Sequence, residues 1–165
     1  MNNESTYKVV GTKHFDSQID ITDPGYKRYT LGRLNDVKIK EGEYQCIIWN
    51  ERKSYNSPSG ELHYNTYVSK IGIYLGEIPD VHDFEEIGEI GVDSGMAGFF
   101  NHKPDYTIEE WFKLCESLHP NNVSKEYHIN DEGFFSNSGR GDGCYSVYAA
   151  KDENGEITSL EIAFM

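Results

Sequence analysis

The chain is 165 residues long, 37% hydrophobic and 13% aromatic, which is enough apolar surface for one domain, residues 1–165, around one core. Its net charge of −13 lies in the second half, because residues 1–70 carry ten Lys/Arg against nine Asp/Glu and residues 71–165 carry five against nineteen. Such a surface repels phosphate backbones and anionic lipid, so nucleic acid and membrane are not the expected partners, while a small ligand or a basic protein is.

Residues 1–6 have neither a basic stretch nor an apolar one, and no run of about eighteen apolar residues follows anywhere, so a cytoplasmic location is expected. Apolar residues then recur mostly with period two, the signature of strands. Candidate strands cover residues 7–14, 27–34, 42–50, 62–75, 86–93, 96–101, 133–137, 143–151 and 157–164. Asp23-Pro24-Gly25, Ser57-Pro58-Ser59-Gly60, Pro79-Asp80 and Asn154-Gly155 separate them as turns. The last is the clearest, since Asn-Gly suits a type I′ turn and would join two alternating runs into a hairpin. In the closing strand Leu160, Ile162 and Phe164 face the core and Glu161 faces water.

One segment departs from period two. Ile108, Trp111, Phe112, Cys115 and Leu118 recur at helical spacing, with Thr107 as cap, Glu110 closing a capping box and Pro120 ending the run, so a helix is expected over about Thr107 to His119 with that stripe packed on a sheet. The fold class that follows is mostly β, an antiparallel sandwich or partly open barrel carrying one packed α-helix. Cys46, Cys115 and Cys144 form no CxxC pair and are odd in number, so buried free thiols are expected, Cys144 on its strand included.

Three Gly/Asp/Ser-rich segments carry the unusual chemistry: residues 20–26 (DITDPGY), 91–95 (GVDSG) and 136–145 (SNSGRGDGCY). Short acids and hydroxyls on glycine turns present polar groups to a ligand, to an ion or to the backbone itself. Two readings of them stay open. In one, Asp and Ser bond their own turns. In the other, Asp20, Asp23, Tyr26, Asp93, Ser94, Ser138, Arg140, Asp142 and Tyr145 build one polar site, with Asp23, Asp93 and Asp142 as oxygen ligands for calcium or magnesium. Residues 138–143 also have the composition of an anion-binding backbone nest with Arg140 as its fork, but they lack the Gly-Lys-Ser/Thr ending of a P-loop. Ser94 and Ser138 sit on glycine turns without the Gly-x-Ser-x-Gly elbow of a nucleophile, and the six histidines lack metal-site spacing, so the residues lean away from an enzyme.

The order Asp-Pro-Gly-Tyr, Gly-Val-Asp-Ser-Gly and Ser-Gly-x-Gly-Asp-Gly-x-Tyr-x-Val before a C-terminal hairpin resembles bacterial and phage proteins close to the domain of unknown function 4241 group, over roughly residues 15–165. That resemblance implies a fold and a bacterial or phage origin, not a mechanism. Three functional readings follow. The first is a β-rich module binding a small ligand or cation at the converged turns. The second is an acidic interaction protein of immunity or inhibitor type, masking a basic toxin or nuclease with residues 77–116, which hold eleven acids and two bases. The third is a metal-assisted hydrolase using Asp93 or Asp142.

Overall fold

Side chains alternate across a strand, so a period-two run has one face for a core and one for its surroundings. The computed structural model, which describes residues 5–119 and 125–164, arranges such runs in two antiparallel sheets. The strands are β1 (Ser5–Phe15), β2 (Gln18–Thr22), β3 (Leu34–Lys38), β4 (Gly42–Asn56), β5 (Leu62–Tyr74), β6 (Glu85–Val92), β7 (Met96–Phe100), β8 (Tyr127–Ile129), β9 (Gly133–Asn137), β10 (Gly143–Lys151) and β11 (Ile157–Ala163). One sheet runs β1-β4-β5-β11-β10-β6 and the other β3-β2-β7-β9-β8. The protein is mostly β, an open sandwich rather than a closed barrel.

The inward residues of both sheets meet in one cluster. Cys46, Ile48, Ile71, Ile73, Val147, Leu160 and Ile162 come from the larger sheet, Ile19, Ile21, Phe99 and Phe134 from the smaller. Each fully buried Ile or Phe contributes about 1.5–3 kcal/mol over exposure, which makes this layer the main source of stability. The smaller sheet's other face, through Met96, Phe100 and Phe135, packs under helix α1 (Ile108–Leu118). Thr107 caps α1 by accepting a hydrogen bond from the Glu110 N–H, as its sequence position predicts.

The residues of α1 that pack on the sheet are Leu118, which is buried, and Trp111 and Leu114, which are partly buried, not the whole expected set. Ile108 is 77% exposed and Phe112 61% exposed. At 100° per residue those two lie on the flank of the helix, one step round from the side that meets the sheet. Among the described residues no helix is long and apolar enough to cross a membrane.

Four further expectations change. Residues 27–33 form a loop, because Thr30 N–H bonds to Lys27 O in a turn, and the alternating Tyr29 and Leu31 that imitate a strand are 92% and 93% exposed. The strands there are β2 and β3, on either side of the loop. The β10–β11 hairpin exists, but its turn is built by Asp152, whose carboxylate accepts from the Asn154 and Glu156 N–H groups. Gly155 alone has positive φ (78°), so the turn is not type I′, which requires both central residues there. Glu161 points away from the core as expected, yet it is buried and pairs with Lys70 at 2.6 Å beneath residues 78–84. Of the cysteines only Cys46 is buried, whereas Cys144, opposite Gly91 on the outward face of β10, is exposed.

Candidate functional site

The site is built around the buried carboxylate of Asp23, at the turn that follows β2. Its Oδ2 accepts from the Asp93 and Ser94 N–H groups at 2.8 and 2.7 Å, and its Oδ1 accepts from the Gly25 N–H and the Ser94 hydroxyl, both at 2.7 Å. Four donors on one ionised group give it the environment a buried charge needs. Asp23 is therefore the clamp between the first and second motif turns.

That clamp sets the neighbouring groups. Tyr26 donates its phenol to Asp93 Oδ2 at 2.7 Å, and burial together with the Asp93 charge pushes the phenol well above its ordinary range, so it remains a donor at neutral pH. Gly25 lies against the indole of Trp111. Asp23, Gly25, Tyr26, Asp93, Ser94, Met96, Trp111, Cys115 and His119 line one open hollow of about 440 Å³. The turns and the helix meet there, and its chemistry is one exposed carboxylate among aromatic rings.

The hollow has little of a nucleophile's chemistry. Ser94 has its hydroxyl committed to Asp23. Burial and then the Asp23 charge raise the Cys115 thiol, the opposite of thiolate activation.

The other expected residues lie elsewhere. Asp20 is buried in its own network, where Oδ1 accepts from the Asp36 N–H, Oδ2 lies 3.3 Å from Arg33 Nη2, and Arg28 Nη1 lies 3.8 Å away. This network ties β2 to the loop over residues 24–33 and to Lys103, whose N–H reaches Asp20 Oδ2. The third motif turn touches the second through Ser138 N–H to Gly95 O at 2.9 Å. Its side chains do not line the hollow: Ser138 and Tyr145 both donate to Gly141 O, Tyr145 packs in the core against Phe164, and Arg140 and Asp142 are exposed. Asp23, Asp93 and Asp142 do not form a trio within reach of one ion, since among the described residues the one such group is His14, Asp16 and Glu41.

Sequence reasoning missed Cys115 and His119 as neighbours of the motif turns. Their i, i+4 spacing beside Trp111 on one helix flank is the signal that was present. It also missed the buried Lys103, which stands in no recognisable motif. No protein-family model, curated protein or solved structure matches the chain.

Proposed function

We propose that this protein is a binding module that receives a cationic group, an amine or a guanidinium, in the hollow between the Asp23 turn, the Asp93 turn and α1. The observation that carries this reading is the Tyr26–Asp93 pair: one Asp93 oxygen is fixed by the phenol, and the exposed carboxylate shares the hollow with the Trp111 ring. A carboxylate offers a charge-assisted hydrogen bond of about 1.5–3 kcal/mol and an aromatic face about 0.5–2 kcal/mol to the same cation. Together these support millimolar affinity, so the natural ligand carries further contacts beyond its charged group. Two of the three turns on which the resemblance to the domain of unknown function 4241 group rests build this hollow, and membership of that group, with a cytoplasmic location, belongs to the same proposal.

Calorimetric titration with arginine amide tests it. Asp93→Asn is expected to abolish the binding and Asp142→Asn to leave it intact. Equal losses in the two variants overturn the assignment.

A second reading is favoured by the exposed hydrophobic residues beside the hollow. Tyr29 and Leu31 on one segment and Ile108 and Phe112 on another are each 61–93% exposed, and the two segments are tied by the Arg28 N–H bond to Asp105 at 2.7 Å. On residues 77–116 the surface acidity is greater than composition implies, because Lys103 is buried and Lys113 is the one exposed Lys or Arg there. Apolar anchors within an acidic rim fit a basic protein partner, as an immunity or inhibitor protein would have. Capture of a basic protein that weakens steeply with salt and with Phe112→Ala supports this reading, and salt-insensitive capture contradicts it.

A further inference from the structure

We infer that the end of β1 and the start of β4 form a binding site for a single first-row divalent cation of the zinc type, with His14, Asp16 and Glu41 as ligands and Glu43 orienting the imidazole. His14 Nε2 lies 3.7 Å from Asp16 Oδ1 and 3.6 Å from Glu41 Oε1. The three ligand atoms are mutually within 4.8 Å. Zinc holds nitrogen and oxygen ligands at about 2.0–2.2 Å in a tetrahedron, whose edges are then about 3.4 Å, so small side-chain rotations bring all three atoms onto one ion. The fourth position is left to water or to a ligand.

The opposite side of the ring gives an independent indication. Glu43 pairs with His14 in the β1–β4 register and places Oε1 3.4 Å from Nδ1. A carboxylate at Nδ1 fixes the tautomer that turns the Nε2 lone pair toward the other two acids, which is the arrangement of a metal-bound histidine with its outer carboxylate.

Charge points the same way. Among the described residues, the ion pairs of Asp16, Glu41 and Glu43 all run to His14 and none to Lys or Arg. Three carboxylates gathered on one imidazole are left for a cation to neutralise. The backbone is fixed as well, since Asn101 donates to His14 O at 3.0 Å and accepts from the Asp16 N–H at 2.8 Å, so one side chain just past the end of β7 holds both ligand residues. Calcium and magnesium prefer all-oxygen sets, and the imidazole shifts the choice toward zinc. This site uses none of the residues of the hollow.

The test is calorimetric titration of the tag-free full chain with zinc chloride, with thermal unfolding in parallel. One zinc per chain and a raised midpoint are expected, because an ion bound by the native state alone stabilises it. His14→Ala should lose both effects, Glu43→Gln should weaken binding by about tenfold or more, His63→Ala should change neither, and calcium should give no shift at the same concentration. His14 is exposed, so its variant keeps the fold, which circular dichroism checks. Zinc binding that survives His14→Ala, or calcium binding as tight as zinc, overturns the site.

Discussion

Asp23 and Ser94, 71 positions apart, are joined twice, by the Ser94 N–H to Oδ2 and by the Ser94 hydroxyl to Oδ1, both at 2.7 Å. A single carboxylate thereby holds together the two turns that shape the hollow. Of the two readings offered for such turns, the first holds at Asp23, whose carboxylate satisfies backbone donors of its own turn and of the second turn and so positions the exposed Asp93.

Replacing Asp23 by Asn keeps the shape and removes an acceptor, leaving an amide NH2 facing N–H donors. Unsatisfied buried donors cost about 1–3 kcal/mol each, so Asp23→Asn is expected to lower stability by about 3 kcal/mol in urea unfolding. A loss below about 0.5 kcal/mol would show that the clamp is dispensable.

Lys103 gives the protein a pH signature. Burial, then the Arg33 charge, lowers its ammonium from the ordinary lysine range to about 8. The folded state therefore releases this proton before the unfolded state does, and stability rises as pH increases above 8. Cys46, pushed up by burial to about 12, acts oppositely above pH 9, as do the raised tyrosines above pH 10, so the rise is clearest between pH 8 and 9. Unfolding midpoints across that window should climb in the native chain and stay flat in Lys103→Met.

The glycines of the third turn are unequal. A Cβ on Gly139 would lie 2.1 Å from the Val68 carbonyl oxygen, at φ +64°, whereas a Cβ on Gly141 would meet nothing, at φ +90°. Gly141→Ala should cost about 1 kcal/mol from strain alone. Gly139→Ala should cost several times that, since backbone must move. Equal midpoints for the two variants would contradict the close approach.

On α1, Leu118 is 4% exposed in the cluster with Met96 and Phe135, while Phe112 projects from the flank. Leu118→Ala should cost about 2–5 kcal/mol and Phe112→Ala less than about 0.5 kcal/mol. A large loss for Phe112→Ala would place it in the core after all and remove the basis for the docking face.

Much of the fold was legible because its cause is local. Thr107 and the 3.6 period located α1 within one residue at each end, and alternation found β1, β4, β5, β6, β7, β9, β10 and β11. The failures are also physical. Tyr29 and Leu31 alternate as a strand does but face solvent, and three residues are too few for β8 to show a period. Cys144 follows the parity of β10, in which Tyr145, Val147 and Ala149 face inward, so its exposure could have been read from the strand. For the site, the first two motif turns do meet, but the meeting is made by Asp23 reaching N–H groups 70 and 71 positions away, which no local pattern encodes. His14, Asp16, Glu41 and Glu43 gather through the β1–β4 register, and that too is invisible until the strands are paired.

The central claim, that the Tyr26–Asp93–Trp111 hollow receives a cationic group, is tested most directly by the fluorescence of Trp111. The chain has two tryptophans, so Trp49→Phe leaves Trp111 as the sole reporter, and it lines the hollow. Titration with arginine amide is predicted to change its emission in a saturable way, titration with an uncharged amide to leave it unchanged, and Asp93→Asn to remove the response. Emission that ignores arginine amide, or that responds equally in Asp93→Asn, would contradict the account.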